Sequence, residues 1–233
     1  MPALIRPSNE RGHAKIDWLE SFHTFSFAEY QDPKHVHFRK LRVINEDWVQ
    51  PGEGFDTHSH KDMEIITYVL EGALQHKDSM GNASVIRPGE VQRMSAGTGV
   101  THSEFNASEK ELVHLLQIWI FPDQPNLKPG YEQKAFDEKG RKNKLRLIAS
   151  PEGKEGSVTL HQDALLYDAA LEKGRALEFK TRPGRGVWVQ IIEGKLKFSG
   201  LELKTGDGFS AEEEASLHFA ADEPSRFLLF DLA

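Results

Sequence analysis

The sequence contains no cysteine among its 233 residues. A disulfide framework, a thiolate-bound zinc site and a cysteine nucleophile are therefore excluded. Any metal site must be built from the imidazole and carboxylate groups of histidine, aspartate and glutamate. The chain has 11 histidines, enough to supply such a site.

An excess of positive charge is also missing. Lysine and arginine total 29 against 36 aspartates and glutamates, a net charge of -7, so we expect no direct nucleic-acid partner. No apolar run reaches the roughly 18 residues of a membrane span, and residues 1–18 lack the apolar centre of a signal peptide. We therefore expect a cytoplasmic protein with no membrane partner, and a monomer by default.

Short strand-like runs dominate the rest of the chain. Branched and aromatic residues cluster in stretches such as LRVINEDWV, MEIITYVL and VHLLQIWIF, and glycine-rich turns separate them. This pattern predicts an all-β barrel or sandwich with a few short helices. The segment DALLYDAALEKG is predicted as one such helix. Residues 122–156, polar and rich in proline and glycine, are predicted as an interdomain connection around one strand.

A weak internal repeat relates two parts of the chain. Aligning Gly72 with Gly194 superimposes a strand, a Glu-Gly turn and a second strand in each part. Three residues of the first copy that could bind a metal, His58, His60 and Glu64, then align with Lys180, Arg182 and Gly186 in the second copy. His218 of the second copy lies near the position that corresponds to His102. We interpret this as a duplication in which only the first copy kept a site. The alternative is that strand–turn–strand units simply look alike.

Two pairs of side chains are spaced to share one face of a strand. Alternate residues of a strand point to the same side, so His58 and His60 project together, as do His102 and Glu104. On facing strands they would form a set of three imidazoles and one carboxylate, which suits iron, manganese, copper, nickel or zinc. Spacing alone leaves Glu64 open as the carboxylate, and a His-x-His pair alone is more often hydrogen-bonded than metal-bound.

Several motifs carry a family resemblance. The pattern G52-x5-H58-S59-H60-x3-E64-x7-G72 resembles the first cupin motif, with one extra residue before the last glycine. The stretches ERGHAKIDWLESFHTFSFAEYQDP, MSAGTGVTHSEFN and LLQIWIFP resemble the pirin family, especially its bacterial members similar to quercetin 2,3-dioxygenase. The close resemblance covers residues 10–122, and the remainder fits the family's second, degenerate cupin half more loosely.

The resemblance implies a fold and a metal. The fold is a bicupin of two antiparallel β-barrels of the double-stranded β-helix, or jelly-roll, type. An N-terminal metal-binding barrel would span residues 1–130, and a degenerate C-terminal barrel without metal ligands would span residues 131–233. The metal would be one divalent transition ion, most commonly Fe(II), with manganese, nickel, copper, zinc or cobalt as alternatives.

The resemblance also selects the ligands. Pirins use a His-x-Glu motif for the last histidine and the carboxylate, which implies His58, His60, His102 and Glu104 as ligands. Glu64, the position of the carboxylate ligand in many other cupins, would then support the ligands from outside the metal's coordination sphere.

The implied activity is that of a metal-dependent dioxygenase cleaving a flavonol such as quercetin with loss of carbon monoxide. Its partners are a small aromatic substrate and dioxygen, and Glu104 would act as general base toward the flavonol hydroxyl. One alternative is a pirin-type regulatory protein acting through protein partners. Another is a bicupin enzyme on a different substrate, because a fold and a ligand set do not define the substrate.

The remaining candidates have structural roles in this interpretation. We predict that His76 lies at the surface or supports the ligands, that His114 is a hydrogen-bonded core histidine, and that Phe25 and Phe27 belong to the core. The sequence supports no functional role for His161.

Overall fold

The computed structural model describes residues 4–198, 200–212 and 214–233. They group into two compact units. The N-terminal unit comprises Gly12–Phe136 and Val158–Gln162, and the C-terminal unit takes residues 4–11, Asp137–Ser157 and Asp163–Ala233. Among the described residues, no helix is long and apolar enough to cross a membrane. The assignment of metal binding to the first half of the chain alone stays a prediction.

Strands dominate the described residues and are numbered in chain order. They are β1 Leu4–Arg6, β2 Gly12–Lys15, β3 Leu19–His23, β4 Leu41–Val49, β5 Gly54–His60, β6 Glu64–Glu71, β7 Leu74–Asp78, β8 Ala83–Ile86, β9 Glu90–Ser95, β10 Val100–Asn106, β11 Val113–Ile120, β12 Gly130–Ala135, β13 Leu145–Ser150, β14 Val158–Thr159, β15 Ala164–Leu171, β16 Ala176–Lys180, β17 Gly186–Glu193, β18 Lys195–Phe198, β19 Leu201–Lys204, β20 Gly208–Glu212, β21 Ser216–Ala221 and β22 Ser225–Leu232. The helices are short: α1 Glu138–Arg141 and two 3-10 turns, Ser8–Glu10 and Lys154–Gly156.

The N-terminal unit is built from two antiparallel sheets. Their strand orders are β12-β9-β6-β11-β4-β3-β2 and β5-β10-β7-β8. Apolar residues that alternate along the strands form its core, for example Val69 with Leu115 and Ile65 with Met94. The predicted all-β fold of antiparallel sheets with few short helices is confirmed.

The C-terminal unit repeats this plan with a different interior. Its sheets have the orders β1-β20-β17-β22-β15-β13 and β16-β21-β18-β19. Buried phenylalanine rings fill the space between them: Phe198 lies 4.3 Å from Phe209 and 5.5 Å from Phe219, measured between ring centroids. His218 points outward and is exposed. Aromatic packing thus occupies the interior of this unit.

The internal repeat is visible in the strand pattern. Gly72 follows β6 and Gly194 follows β17, with φ of 75° and 82°. A Cβ at either position would lie within 2.6 Å of a backbone oxygen, that of Leu112 or of Pro224. Because only glycine tolerates both the positive φ and the close approach, the Glu-Gly turn recurs in the two copies.

Two predictions about elements are wrong. Residues 164–171 form strand β15 rather than a helix, pairing with β13 on one side and β22 on the other. The helix propensity of their leucines and alanines is weak compared with the burial gained between two neighbouring strands. The stretch 122–156 contains two strands rather than one: β12 pairs with β9, and β13 with β15.

Candidate metal centre

Strands β5 and β10 lie side by side and position the candidate ligands. They are antiparallel, with His102 opposite His58 and Val100 opposite His60. Along β10 burial alternates, so His102 and Glu104 face inward while Thr101 is exposed. The register shifts between His102 and Glu104, and such a break in the pairing changes the direction of neighbouring side chains.

The three predicted histidines converge. Ring centroids are 4.8 Å apart for His58 and His60, 4.5 Å for His58 and His102, and 4.9 Å for His60 and His102. One nitrogen of each ring lies within 4.8 Å of the others. This spacing fits three imidazole ligands around one ion, because metal–nitrogen bonds of about 2.0–2.1 Å bring ligand atoms to roughly 3–4 Å of each other after small ring rotations.

The hydrogen bonds of these rings leave lone pairs available. His58 Nδ1 lies 2.7 Å from the backbone oxygen of Asp56, so in the neutral ring that nitrogen carries the proton and the lone pair is on Nε2. Nε2 of His102 is buried and has no hydrogen-bond partner among the described residues. An orphaned buried acceptor requires an explanation, and a bound cation satisfies it. The cluster of His58, His60 and His102 therefore fits a metal ion.

Burial keeps the rings in the form that binds metals. It lowers the pKa of His60 to about 4, with the neighbouring His102 and His58 acting in the same direction. The pKa of His102 falls to about 3, again through burial first and then through His58 and His76. Both imidazoles are neutral near pH 7, as coordination requires.

Glu104 lies beside the cluster but is held by neutral donors. It is 3% exposed, and its carboxylate accepts hydrogen bonds from Gln117 Nε2 at 3.0 Å and Thr67 Oγ1 at 3.3 Å. Its ligand atom groups with those of His76 and His102 within 4.8 Å, not with the trio of His58, His60 and His102. The four-residue ligand set therefore stays a prediction.

Glu64 lies on the face of its sheet that is opposite to the histidine cluster. Its neighbour Ile65 packs with Met94 and Trp119, and the Trp119 ring is 4.9 Å from His60. Because adjacent strand residues point to opposite faces, Glu64 turns away, and its Oε2 accepts a hydrogen bond from the backbone N–H of His161 at 3.2 Å. His161, for which the sequence supports no role, is thus a partner of this buried carboxylate.

Two other histidines have roles predicted from the sequence. His76 is fully buried and adjoins His102, with the two Nδ1 atoms 3.5 Å apart; a surface position is therefore wrong. His114 is half-buried, stacks on Trp48 at 4.1 Å and has Nε2 3.0 Å from a Glu46 oxygen. It is a hydrogen-bonded histidine, as predicted, at the margin of the core.

A cavity of about 200 Å³ adjoins His58, His60 and Glu104. One part of its wall is apolar, from Leu19, Phe27, Phe55 and Trp119, and another is polar, from Ser21, His23, Asn45, Asp47 and Gln117. Phe25 is buried in the core, as predicted. Phe27 lines the cavity instead, because the chain leaves β3 at His23 and no longer alternates as a strand.

The polar wall is a feature that sequence reasoning misses. Asn45 and Asp47 alternate along the central strand β4 and are buried, and a polar i, i+2 pair within LRVINEDWV is the available signal. Burial raises the pKa of Asp47 to about 7, assisted by the charges of Glu104 and Glu46 and opposed by a hydrogen bond from Ser21. The cavity thus contains a carboxyl group that titrates near neutral pH.

Two antiparallel β units, one with converging histidines beside a cavity, define a bicupin with a metal-binding site. Comparison with known proteins extends this conclusion: the Pirin family matches residues 5–120, and the quercetinase C-terminal cupin domain matches residues 147–232. The chain belongs to the pirin family, as the motifs predicted.

Its relatives are similar along their whole length. The chain is 48% identical over 228 residues to quercetin 2,3-dioxygenase of Escherichia coli strain K12, covering 98% of this chain and 97% of that protein. The crystal structure of YhhW from Escherichia coli has a TM-score of 0.97 at 46% identity, covering 100% of this chain and 98% of that one. The bacterial pirin YhhW in complex with nickel(II) has a TM-score of 0.95 at 46% identity, covering 99% of each chain. That complex and the histidine cluster together support a single metal ion.

Proposed function

We propose that this pirin is a metal-dependent dioxygenase that cleaves a flavonol such as quercetin. The observation that carries the proposal is the convergence of three imidazoles beside a partly aromatic cavity that His58 and His60 line. Burial lowers the pKa of His60 and His102, and Nε2 of His102 is buried with no hydrogen-bond partner among the described residues. The name quercetin 2,3-dioxygenase of the Escherichia coli relative supports the substrate class. His58, His60, His102 and Glu104 would hold one divalent ion, with Fe(II) as the proposed metal.

The metal would supply a Lewis acid that makes a phenolic or enolic hydroxyl easier to deprotonate. Side chains of the protein would accept the proton and bind the substrate. Glu104 accepts the hydroxyl proton, because it lines the cavity and its carboxylate is oriented by Gln117 and Thr67. Trp119, Phe27 and Phe55 provide apolar surface against which a planar ring system stacks and from which water is excluded.

The polar wall would orient the substrate. Ser21, Asn45 and Asp47 line the same cavity, and hydroxyl and amide groups bind the hydroxyl substituents of a polyphenol. Asp47, protonated for part of the time near neutral pH, can donate a hydrogen bond as well as accept one. A substrate with several hydroxyl groups on an aromatic skeleton therefore suits the wall better than a purely apolar one.

The decisive experiment is metal analysis followed by oxygen uptake with quercetin on the same sample, against an anaerobic control. We expect about one metal ion per chain and quercetin-dependent uptake that His58→Ala abolishes and His37→Gln, an exposed control, leaves intact. Metal without uptake on any flavonol would contradict the substrate assignment and favour another substrate or a regulatory role through protein partners. Failure to bind metal under any loading would contradict the site itself.

The role of Glu104 has its own test. Replacing it by glutamine keeps its size and removes the proton acceptor, so we expect Glu104→Gln to lower turnover by roughly 10²- to 10⁴-fold with a much smaller loss of bound metal. Turnover and metal content are measured on one preparation, with the exposed Glu109→Gln as matched control. Equal turnover in Glu104→Gln and the unmodified protein would reject the base role.

A further inference from the structure

His76 and Asp78 form a buried chain of contacts that ends at His102. Nε2 of His76 lies 3.2 Å from Oδ2 of Asp78, and both side chains are fully buried. On its other side, Nδ1 of His76 lies 3.5 Å from Nδ1 of His102. Asp78 and His102 are also direct neighbours across the β7–β10 pair. Both ring nitrogens of His76 therefore have partners.

Asp78 is fixed in place by the turn that follows β7. Its Oδ1 accepts hydrogen bonds from the backbone N–H groups of Met80 at 2.9 Å and Asn82 at 3.0 Å. Its Oδ2 accepts a hydrogen bond from the Asn82 side-chain amide at 2.8 Å. Three donors from the turn therefore hold the carboxylate so that Oδ2 faces His76.

This arrangement determines where the protons lie. A carboxylate only accepts hydrogen bonds, so the proton of a neutral His76 is on Nε2, toward Asp78. Nδ1 of His76 is then an acceptor, and the hydrogen between the two rings belongs to Nδ1 of His102. The lone pair of His102 is thereby left on Nε2, the buried atom that has no hydrogen-bond partner among the described residues.

We propose that Asp78 and His76 are positioning residues that hold His102 in the tautomer and orientation needed for metal binding. The inference rests on the proposed metal site and deepens it. A metal-bound histidine generally donates its second N–H to an acceptor that fixes the ring. Here that acceptor is an imidazole, which is itself oriented by a buried carboxylate.

His76 also lies close enough to be a ligand, because its ligand atom groups with those of His102 and Glu104 within 4.8 Å. Coordination by His76 would break its contact with Asp78 or with His102, since both nitrogens are engaged. The contacts therefore favour a supporting role.

Nickel(II) affinity tests the proposal through two substitutions. Asp78→Asn keeps an oxygen for the two backbone donors and places an amide N–H₂ toward His76, which reverses the tautomers of both rings. His76→Leu removes the acceptor for His102. We expect each to weaken nickel(II) binding by roughly 10- to 100-fold, and His76→Gln, which retains an acceptor oxygen, to recover part of that loss.

The controls separate this inference from the proposed site. His37→Gln is expected to leave the affinity unchanged, and His58→Ala to abolish binding, whatever the role of His76. Unchanged affinity in both Asp78→Asn and His76→Leu, together with loss in His58→Ala, would overturn the positioning role and leave the site intact. Absence of nickel binding in the unmodified protein would overturn both.

A spectroscopic measurement distinguishes positioning from a general packing effect. In the zinc(II)-loaded protein, long-range ¹H–¹⁵N correlation reports which nitrogen of each ring carries a proton. We expect a proton on Nε2 of His76 and on Nδ1 of His102, and loss of this pattern in a folded Asp78→Asn variant. A metal-bound nitrogen on His76, or the opposite tautomers, would overturn the proposal.

Discussion

Asp47 is a buried residue of the cavity wall whose ionisation lowers the stability of the folded protein. Its carboxyl is 4% exposed, lies in the cavity wall and accepts a hydrogen bond from the Ser21 hydroxyl. Burial raises its pKa to about 7 from 3.8. Above pH 7 the folded protein therefore holds an ionised carboxylate where a neutral group would be more stable.

Asp47→Asn should consequently stabilise the protein in a pH-dependent way. Because the folded-state pKa lies above the unfolded value, the destabilisation begins as pH rises above 3.8 and is complete above 7. We expect the variant to gain up to roughly 4 kcal/mol of unfolding free energy at pH 8 and almost none at pH 3. Urea titrations across this range measure the difference.

The matched control is Asp17→Asn, an exposed aspartate in the same unit. Its unfolding free energy should follow that of the unmodified protein at each pH. A gain in Asp47→Asn that is equally large at pH 3 would show that ionisation is not its cause.

The β5–β10 pair is the element on which the candidate site depends. It holds His58 opposite His102, and it can do so only because the two backbones approach closely near Gly54. A Cβ built at Gly54 would lie 2.2 Å from the backbone oxygen of Glu104 and 2.5 Å from the Cα of Phe105. No side chain fits there without separating the strands.

Gly54→Ala should therefore damage metal binding without touching a ligand. We expect the strands to move apart at Glu104, which changes the distance between His58 and His102 and weakens nickel(II) binding at least tenfold, together with a lower Tm. Calorimetric titration and a thermal melt measure both. Gly130→Ala is the matched strand control, since its Cβ would meet nothing closer than 3.4 Å; an equal effect in the two variants would contradict the argument.

At the scale of the whole molecule, the two units differ in what fills them. The N-terminal unit contains the histidine cluster and a cavity, whereas an aromatic cluster fills the C-terminal unit. A ligand that binds only the folded state stabilises it by mass action. A metal ion is therefore expected to stabilise the fold through the N-terminal unit.

Metal loading should raise the melting temperature. With free nickel(II) at about 100 times the Kd, the gain is about 2.7 kcal/mol, or roughly 5–10 °C for a chain of this size. Differential scanning calorimetry of chelator-treated and reloaded protein measures it. His58→Ala should melt at the same temperature with and without nickel(II), and a persistent shift in that variant would indicate binding elsewhere.

Features that depend on local periodicity follow from the order of the residues alone. Residues two apart on a strand must share a face, so the spacing is enough to pair His58 with His60 and His102 with Glu104. The Gly72–Gly194 repeat is equally local, because each turn demands a residue that tolerates positive φ. The family motifs add the identity of the family.

Which groups meet across strands depends instead on the tertiary fold. Glu64 turns toward His161, and His76 lies against His102, because sheet register and the face of each strand are set by partners distant in sequence. The same holds for β15, whose residues favour a helix locally and form a strand between β13 and β22. Local propensities are worth tenths of a kcal/mol per residue, whereas burial of one large apolar side chain is worth about 1.5–3 kcal/mol, so long-range packing prevails where the two disagree.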